Sequence, residues 1–342
     1  MTTARLDLTR EQILSYRRAA NGLDERLPPG ASSLRRAAWA GLQDSMPRAA
    51  LLSIHARVDG TEPSTWEDAS LVQIWGPRFS AYVVAAEDAW IFTLGRLPTD
   101  GKGRRRAEET AAQLGAFLGD RRMTYGAAGH AMGRQPNSLR YAAPTGTVLM
   151  RWDGARQPVI WVVPRPDVDP AEARLELARR FLHIFGPGTP AGFAKWAGIK
   201  APGGHVAFDA LEGSLTPART PVGDRWILTE DEATLGAPVA VPGGARLLPS
   251  GDAYFLLWGS DRELLVPEPE RRRLLWTTRV WPGAILVNGE IVGTWRRATA
   301  DLAIEPWQPL SPAQREAVEA EAKSLPLPGL SSGIRVEWIG NA

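Results

Sequence analysis

Apolar and polar positions along the chain fall into short segments whose period changes from helical to alternating several times. Thr9-Arg10-Glu11-Gln12 has the form of a capping box, and Ile13, Leu14, Tyr16, Arg17, Ala20 and Leu23 then recur at helical spacing up to Pro28-Pro29-Gly30. A second helix is expected from Ser33 to about Leu42, carrying Leu34, Ala37, Ala38 and Leu42, and a third from Pro47 to about Arg57. A short helix follows from Trp66 to Leu71. The run LVQIWGPRFSAYVVA then reads as two strands about Gly76-Pro77. Three short helices followed by a hairpin is the plan of a winged helix.

The plan repeats, which makes internal repetition the main organising signal. RRRAEETAAQLGAFLG, MTYGAAGHAMG and NSLRYAA are helical, and GTVLMRWDGARQPVIWVV is a hairpin with Asp153-Gly154 at its turn. A third copy opens at Asp169-Pro170, continues through a Thr189-Pro190 helix start, and ends in the hairpin LTPARTPVGDRWILTE. After about Ala240 the chain becomes a series of short β-rich runs, with Asn288-Gly289 as a further hairpin turn, a Ser311-capped helix and a last strand in GIRVEWIG. The fold class expected is α+β: about three tandem winged-helix modules over residues 1–98, 99–168 and 169–240, then a small β-barrel with a C-terminal helix over 241–342.

Composition narrows the function classes. Hydrophobic content of 44% and charged content of 23% are globular values, and no apolar run approaches the ~20 residues that span a bilayer. MTTARLDLTREQ lacks the apolar core of a secretory signal, and there is no cysteine, which excludes disulfides and thiolate zinc and makes the cytoplasm, in association with the nucleoid, the expected location. His55, His130, His183 and His205 are isolated in sequence, so no metal or other cofactor is expected. GPGTPAG lacks the lysine of a phosphate loop and reads as a turn between helices.

Net charge is only +2, yet the basic residues are nearly all arginine, the lysines being Lys102, Lys195, Lys200 and Lys323. Arginine is the side chain best suited to bidentate phosphate contact, although a high-GC genome produces the same bias without any function. Doubled arginines recur, Arg121-Arg122 among them. Each pair alone reads as a solvated face, whereas three winged helices aligned on a duplex make them additive.

The segments GLQ with PRAALL, LVQIWGPR, FGPGTPAGFAKWAG, RLLPSGDAYFLLWGSDR and IVGTWRR occur in this order. Together they resemble the AlkZ/YcaQ-like winged-helix DNA glycosylases, from about Leu8 to Ser324. The resemblance implies tandem winged helices, a C-terminal barrel, monomeric binding to double-stranded DNA without membrane or metal, and excision of alkylated or cross-linked purines. It also implies catalysis by a Gln-x-Gln or Gln-x-Asp motif after GL, which is Gln43-Asp44-Ser45 in this chain. Arg78 keeps the family's arginine, Tyr82 stands where many members carry histidine, and Asp252 and Trp295 match family positions that are either structural in the barrel or site-lining. Arg78, Tyr82, Arg121, Arg122, Lys195, Lys200 and His205 are the candidate DNA contacts.

The spacing within the motif has a physical reason. Positions i and i+2 share one side of an extended segment but diverge on a helix, and Pro47 disfavours the helical conformation at Met46. An N7-alkylated purine is cationic and leaves readily, so the protein need only hold a water, with the Gln43 carbonyl orienting it and a second acceptor at position 45. Ser45 is a weaker acceptor than Gln or Asp there, and Asp44 could take over only if the backbone rotated. Two alternatives stay open: a non-catalytic DNA-binding or lesion-shielding protein, and a transcription regulator. A purely local reading of the stretch, with Gln43 and Asp44 ending one helix and Ser45 capping the next, stands beside them.

Overall fold

The computed structural model describes residues 5–239, 242–330 and 333–340. The capping box forms: Gln12 N–H donates to Thr9 Oγ1 at 3.2 Å and Thr9 N–H donates to Gln12 Oε1 at 2.9 Å, starting the Arg10–Ala20 helix. The next two helices are Ala31–Ala37 and Ala49–His55, both shorter than their apolar periodicity implies. The first of them cannot run to residue 42 because Gly41 takes a left-handed φ of 70°, and Leu42–Gln43 emerges as a strand. A Cβ at Gly41 would lie 3.0 Å from the Tyr82 ring, so the turn needs glycine for space as well as for φ.

The described strands are β1 (Leu6–Asp7), β2 (Leu42–Gln43), β3 (Leu71–Trp75), β4 (Ala81–Ala85), β5 (Met123–Thr124), β6 (Val148–Arg151), β7 (Val159–Val162), β8 (Leu215–Thr220), β9 (Gly223–Leu228), β10 (Ala245–Leu248), β11 (Gly283–Val287), β12 (Glu290–Ala298), β13 (Asp301–Pro306) and β14 (Arg335–Trp338). The β3–β4 and β6–β7 hairpins appear where the alternating runs put them, and they share one six-stranded sheet of order β2-β4-β3-β6-β7-β5, joined through the pair Gln73↔Met150. The β8–β9 hairpin is extended by β1, paired parallel to β8. That pairing carries the N-terminal helix away from the rest of residues 1–98: Ile13 and Tyr16 pack with Ala218, Ile227 and Leu235.

Helix starts follow their caps. Asp169 accepts from Ala171 N–H ahead of the Pro170–Phe185 helix, and Thr189 accepts from Gly192 N–H ahead of Pro190–Ala197. Beyond residue 241 the strands form an open five-stranded sheet, β10-β11-β12-β13-β14, rather than a closed barrel. The ends do not meet because β14 adds parallel to β13, away from β10, and the Pro312–Lys323 helix covers one face. Two helices absent from the sequence reading, Asp261–Leu265 and Pro269–Leu275, lie between β10 and β11. At Asn288-Gly289 both residues have positive φ, 49° and 86°, as a two-residue turn with matching twist requires.

A buried ion pair fixes this last unit to the first helices. Arg57 donates to both carboxylate oxygens of Asp252 at 2.8 Å, Ser53 Oγ donates to the same carboxylate at 2.6 Å, and the Arg57 and Asp252 residues are each 1% exposed. Asp252 therefore binds two chain segments together.

Candidate active site

Gln43 is held in register opposite Tyr82, and Asp44 N–H donates to Ala81 O at 2.8 Å, which keeps the segment extended beyond β2. The side chains alternate accordingly: Leu42 and Asp44 are buried, while Gln43 and Ser45 turn outward. Asp44 accepts from Ala50 N–H at 3.0 Å and from Gln73 Nε2 at 2.8 Å, and Gln73 Oε1 in turn accepts from Trp152 N–H at 2.6 Å. Burial pushes the Asp44 carboxyl up to about 6 against the opposing pull of these hydrogen bonds. Asp44 thus ties the start of the Ala49–His55 helix to two hairpins and faces away from Ser45. It is Asp44, not Ser45, that satisfies an orphan helix N–H.

On the outward side, Gln43 Nε2 donates to Ser45 Oγ at 2.6 Å. Its carbonyl accepts from the Arg78 guanidinium at 2.8 Å and from the Tyr82 hydroxyl at 3.4 Å. A guanidinium can only donate, so Arg78 fixes the amide with its oxygen inward and its nitrogen towards Ser45. The carbonyl assigned to the water on sequence grounds is already taken. Arg78 itself is anchored by Trp196 O at 2.6 Å and lies 4.8 Å from the Trp258 ring centroid. It projects from a turn in which Arg78 and Phe79 both have left-handed φ, 56° and 58°. Tyr82 has no exposed surface, and burial raises its hydroxyl above the ordinary tyrosine value, keeping it protonated. Tyr82 supports Gln43 from behind and has no surface to offer to DNA.

Gln43 and Ser45 open onto a cavity of about 400 Å³ that also meets Met46, Arg78, Ser80, Ser250, Gly251, Leu256, Trp258, Arg279, Val280 and Trp281. Neither aspartate nor glutamate is among these residues. Gly251 sits against the catalytic candidate: a Cβ there would lie 3.0 Å from Gln43 Nε2. A neighbouring cavity of about 290 Å³ shares Met46, Ser250, Val280 and Trp281 and runs on to Trp295, Arg296 and Arg297. Trp295 donates its indole N–H to Leu248 O at 2.9 Å, a tie between β12 and β10 that also lines this second cavity.

The remaining candidates lie elsewhere on the surface. Arg121 and Arg122 are exposed, stacked over Phe117 and Trp161 with guanidinium-to-centroid distances of 4.9 and 4.5 Å. Lys195 and His205 are exposed, and Lys200 pairs with Asp100 at 3.1 Å. None of the five lines the Gln43 cavity. Sequence reasoning missed Ser80, Ser250, Trp258, Arg279 and Trp281 as cavity residues. They come from segments about 170 residues apart, and no period or motif relates them.

Among the described residues, no three His, Cys, Asp or Glu side chains gather to hold a metal ion, and no helix is long and apolar enough to cross a membrane. His55 is used by Thr61 and Ser324, and His183 by Asp231.

A curated relative, an interstrand DNA cross-link repair glycosylase of Streptomyces sahachiroi, is 28% identical over 158 residues, a stretch that covers 45% of this chain and 42% of that relative. The solved structure of Streptomyces sahachiroi DNA glycosylase AlkZ superposes with a TM-score of 0.78 at 18% identity, covering 98% of this chain and 100% of that one, which is a likeness of fold. The family model for "DNA glycosylase AlkZ-like" matches residues 36–326, and the chain therefore belongs to the AlkZ-like DNA glycosylase family.

Proposed function

We propose that this protein is a monofunctional glycosylase that binds duplex DNA and releases N7-alkylated purines, bulkier cross-linked adducts included, through a water held between Gln43 and Ser45. The observation that carries the reading is the side-by-side display of these two side chains at the cavity wall, with Asp44 turned inward. Gln43 has one amide N–H left to donate to the water oxygen, and Ser45 Oγ keeps a lone pair for a water proton. The N-glycosidic bond breaks with its electron pair passing to N9, so the cationic base leaves neutral. Water oxygen then bonds to C1′ and loses a proton to solvent.

No carboxylate lines the cavity to oppose the positive charge that develops on the sugar. That charge is left to the DNA's own phosphates, and the rate is correspondingly modest. The same feature, with the occupied Gln43 carbonyl, favours a second reading: a DNA-binding, lesion-shielding protein that kept the scaffold and lost the chemistry. A transcription regulator has no specific observation behind it.

The accompanying architecture is three winged-helix modules, 1–98, 99–168 and 169–240, with the N-terminal helix lent to the third, and a β-rich unit over 241–342. Arg121, Arg122, Lys195, Lys200 and His205 are assigned to outer phosphate contacts, and the protein acts as a monomer in the nucleoid-bearing cytoplasm. The test is release of free N7-methylguanine from alkylated duplex by wild type and Gln43→Ala. The proposal expects Gln43-dependent base release leaving intact abasic strands. DNA binding with no base release by wild type would favour the shielding reading.

A further inference from the structure

The lining of the Gln43 cavity is of two kinds. Leu256, Trp258 and Trp281 are apolar or aromatic, with the Arg78 guanidinium over one of these rings, Trp258. The remaining polar lining supplies cations and hydroxyls without any acid. Arg78 is spent on Gln43, Tyr82 and Trp196 O. Arg279 is different: it is exposed at the cavity rim and has no hydrogen bond, ion pair or ring contact among the described residues. The hydroxyls of Ser80 and Ser250 likewise bond to nothing described, and Ser45 keeps its own proton to donate after accepting from Gln43.

An uncommitted guanidinium and three uncommitted hydroxyl protons around one opening match a tetrahedral oxyanion, whose oxygens accept from several donors. A cationic base finds no acidic partner among the lining residues. The cavity's volume, about 400 Å³, lies within the ~300–1,000 Å³ usual for small-molecule sites and is ample for a single nucleotide. Resting on the glycosylase reading above, we propose that the cavity receives one extruded nucleotide, with its base against Trp258 and Trp281. A flanking phosphodiester is bound by Arg279 with Ser80 and Ser250. Arg279 is therefore a site-specific phosphate contact, used only when a nucleotide leaves the stack. Enzymes that act on a base inside duplex DNA commonly take it out of the stack.

The experiment measures binding to two duplexes, one undamaged and one carrying a tetrahydrofuran abasic analogue, across a salt series, for wild type, Arg279→Ala and Arg279→Lys. On the analogue duplex, Arg279→Ala binds on the order of ten-fold more weakly, and its log–log salt slope falls by about one. Arg279→Lys keeps the slope, and undamaged duplex shows no change for either variant. A methylphosphonate replacing a phosphate beside the analogue reproduces the loss in wild type and adds nothing to Arg279→Ala. Equal losses on both duplexes would overturn the inference by making Arg279 a general backbone contact, as would wild-type binding by Arg279→Ala. If either result accompanies Gln43-dependent base release, the inference alone fails. A wild type that neither prefers the analogue duplex nor releases base overturns the glycosylase reading along with it.

Discussion

Asp44→Asn tests the geometry that aims the site, because Gln43 and Ser45 face the cavity only if Asp44 faces the interior. Burial raises the Asp44 carboxyl from its ordinary 3.8 to about 6. The folded state therefore binds a proton more tightly than the unfolded chain, so the group's contribution is fully present below about pH 3.8 and is lost as pH rises through about 6. At 1.36 kcal/mol per pH unit the full loss is ~3 kcal/mol, and because the carboxyl is buried no large discount for solvent is due. Asparagine keeps an acceptor for Ala50 N–H but sets an amide nitrogen against Gln73 Nε2, a pH-independent cost of about 1–3 kcal/mol. Urea unfolding followed by fluorescence of the 14 tryptophans, from pH 4 to 7.5, measures both proteins, and carboxylates common to the two cancel in the difference. Wild-type stability minus variant stability is expected to fall by up to ~3 kcal/mol between pH 4 and 7. A flat difference, or one that grows with pH, would refute burial as the dominant influence on Asp44 and show that the hydrogen bonds from Ala50 and Gln73 outweigh it.

Other consequences are open to measurement. Arg57→Ala strands the Asp252 carboxylate at 1% exposure, and an unfolding free energy lowered by about 3–5 kcal/mol is expected; a loss under about 1 kcal/mol would mean that the pair is solvated. Gly251→Ala puts a side chain where φ is 78° and the new Cβ meets Gln43 Nε2, which costs about 1–2 kcal/mol and slows base release more than it weakens DNA binding. Wild-type release by that variant would disconnect Gly251 from the site. Ser45→Asp supplies the missing acceptor and opposes the sugar's developing charge, so single-turnover release should rise at least about ten-fold. No rise would show that residue 45 does not touch the water.

The helical and alternating periods were enough to find the three hairpins and the longer helices of the first 240 residues, because a repeated helix–hairpin unit prints its period wherever one face is buried. The helix expected from Trp66 to Leu71 is instead a single turn at Thr65–Glu67, with Leu71 already in β3, and the Ala89–Leu94 helix went unread. The capping signals at Thr9, Asp169, Thr189 and Ser311 marked true helix starts. Boundaries slipped where tertiary contact overrode local pattern. Leu42 has helical spacing with Leu34 and Ala38, but Gly41 turns it into a strand paired with β4. The C-terminal unit was legible as β-rich, whereas its openness depends on β14 joining β13 in parallel, a long-range pairing without a local signature. Within the site, the alternation at 43 to 45 followed from Pro47 and extended geometry. Arg78's grip on the Gln43 carbonyl did not, since nothing in two segments 35 residues apart fixes an amide's orientation. Arg279 was invisible for the same reason.

The central claim, that Gln43 and Ser45 hold a water which displaces an alkylated purine, is tested most directly by the single-turnover rate of N7-methylguanine release at saturating enzyme. Saturation removes any difference in DNA affinity from the comparison between wild type and Gln43→Ala. The account predicts release by wild type that falls about 100-fold or more in Gln43→Ala, with DNA binding unchanged. Equal rates in the two proteins, or no release by a wild type that binds the duplex, would contradict it.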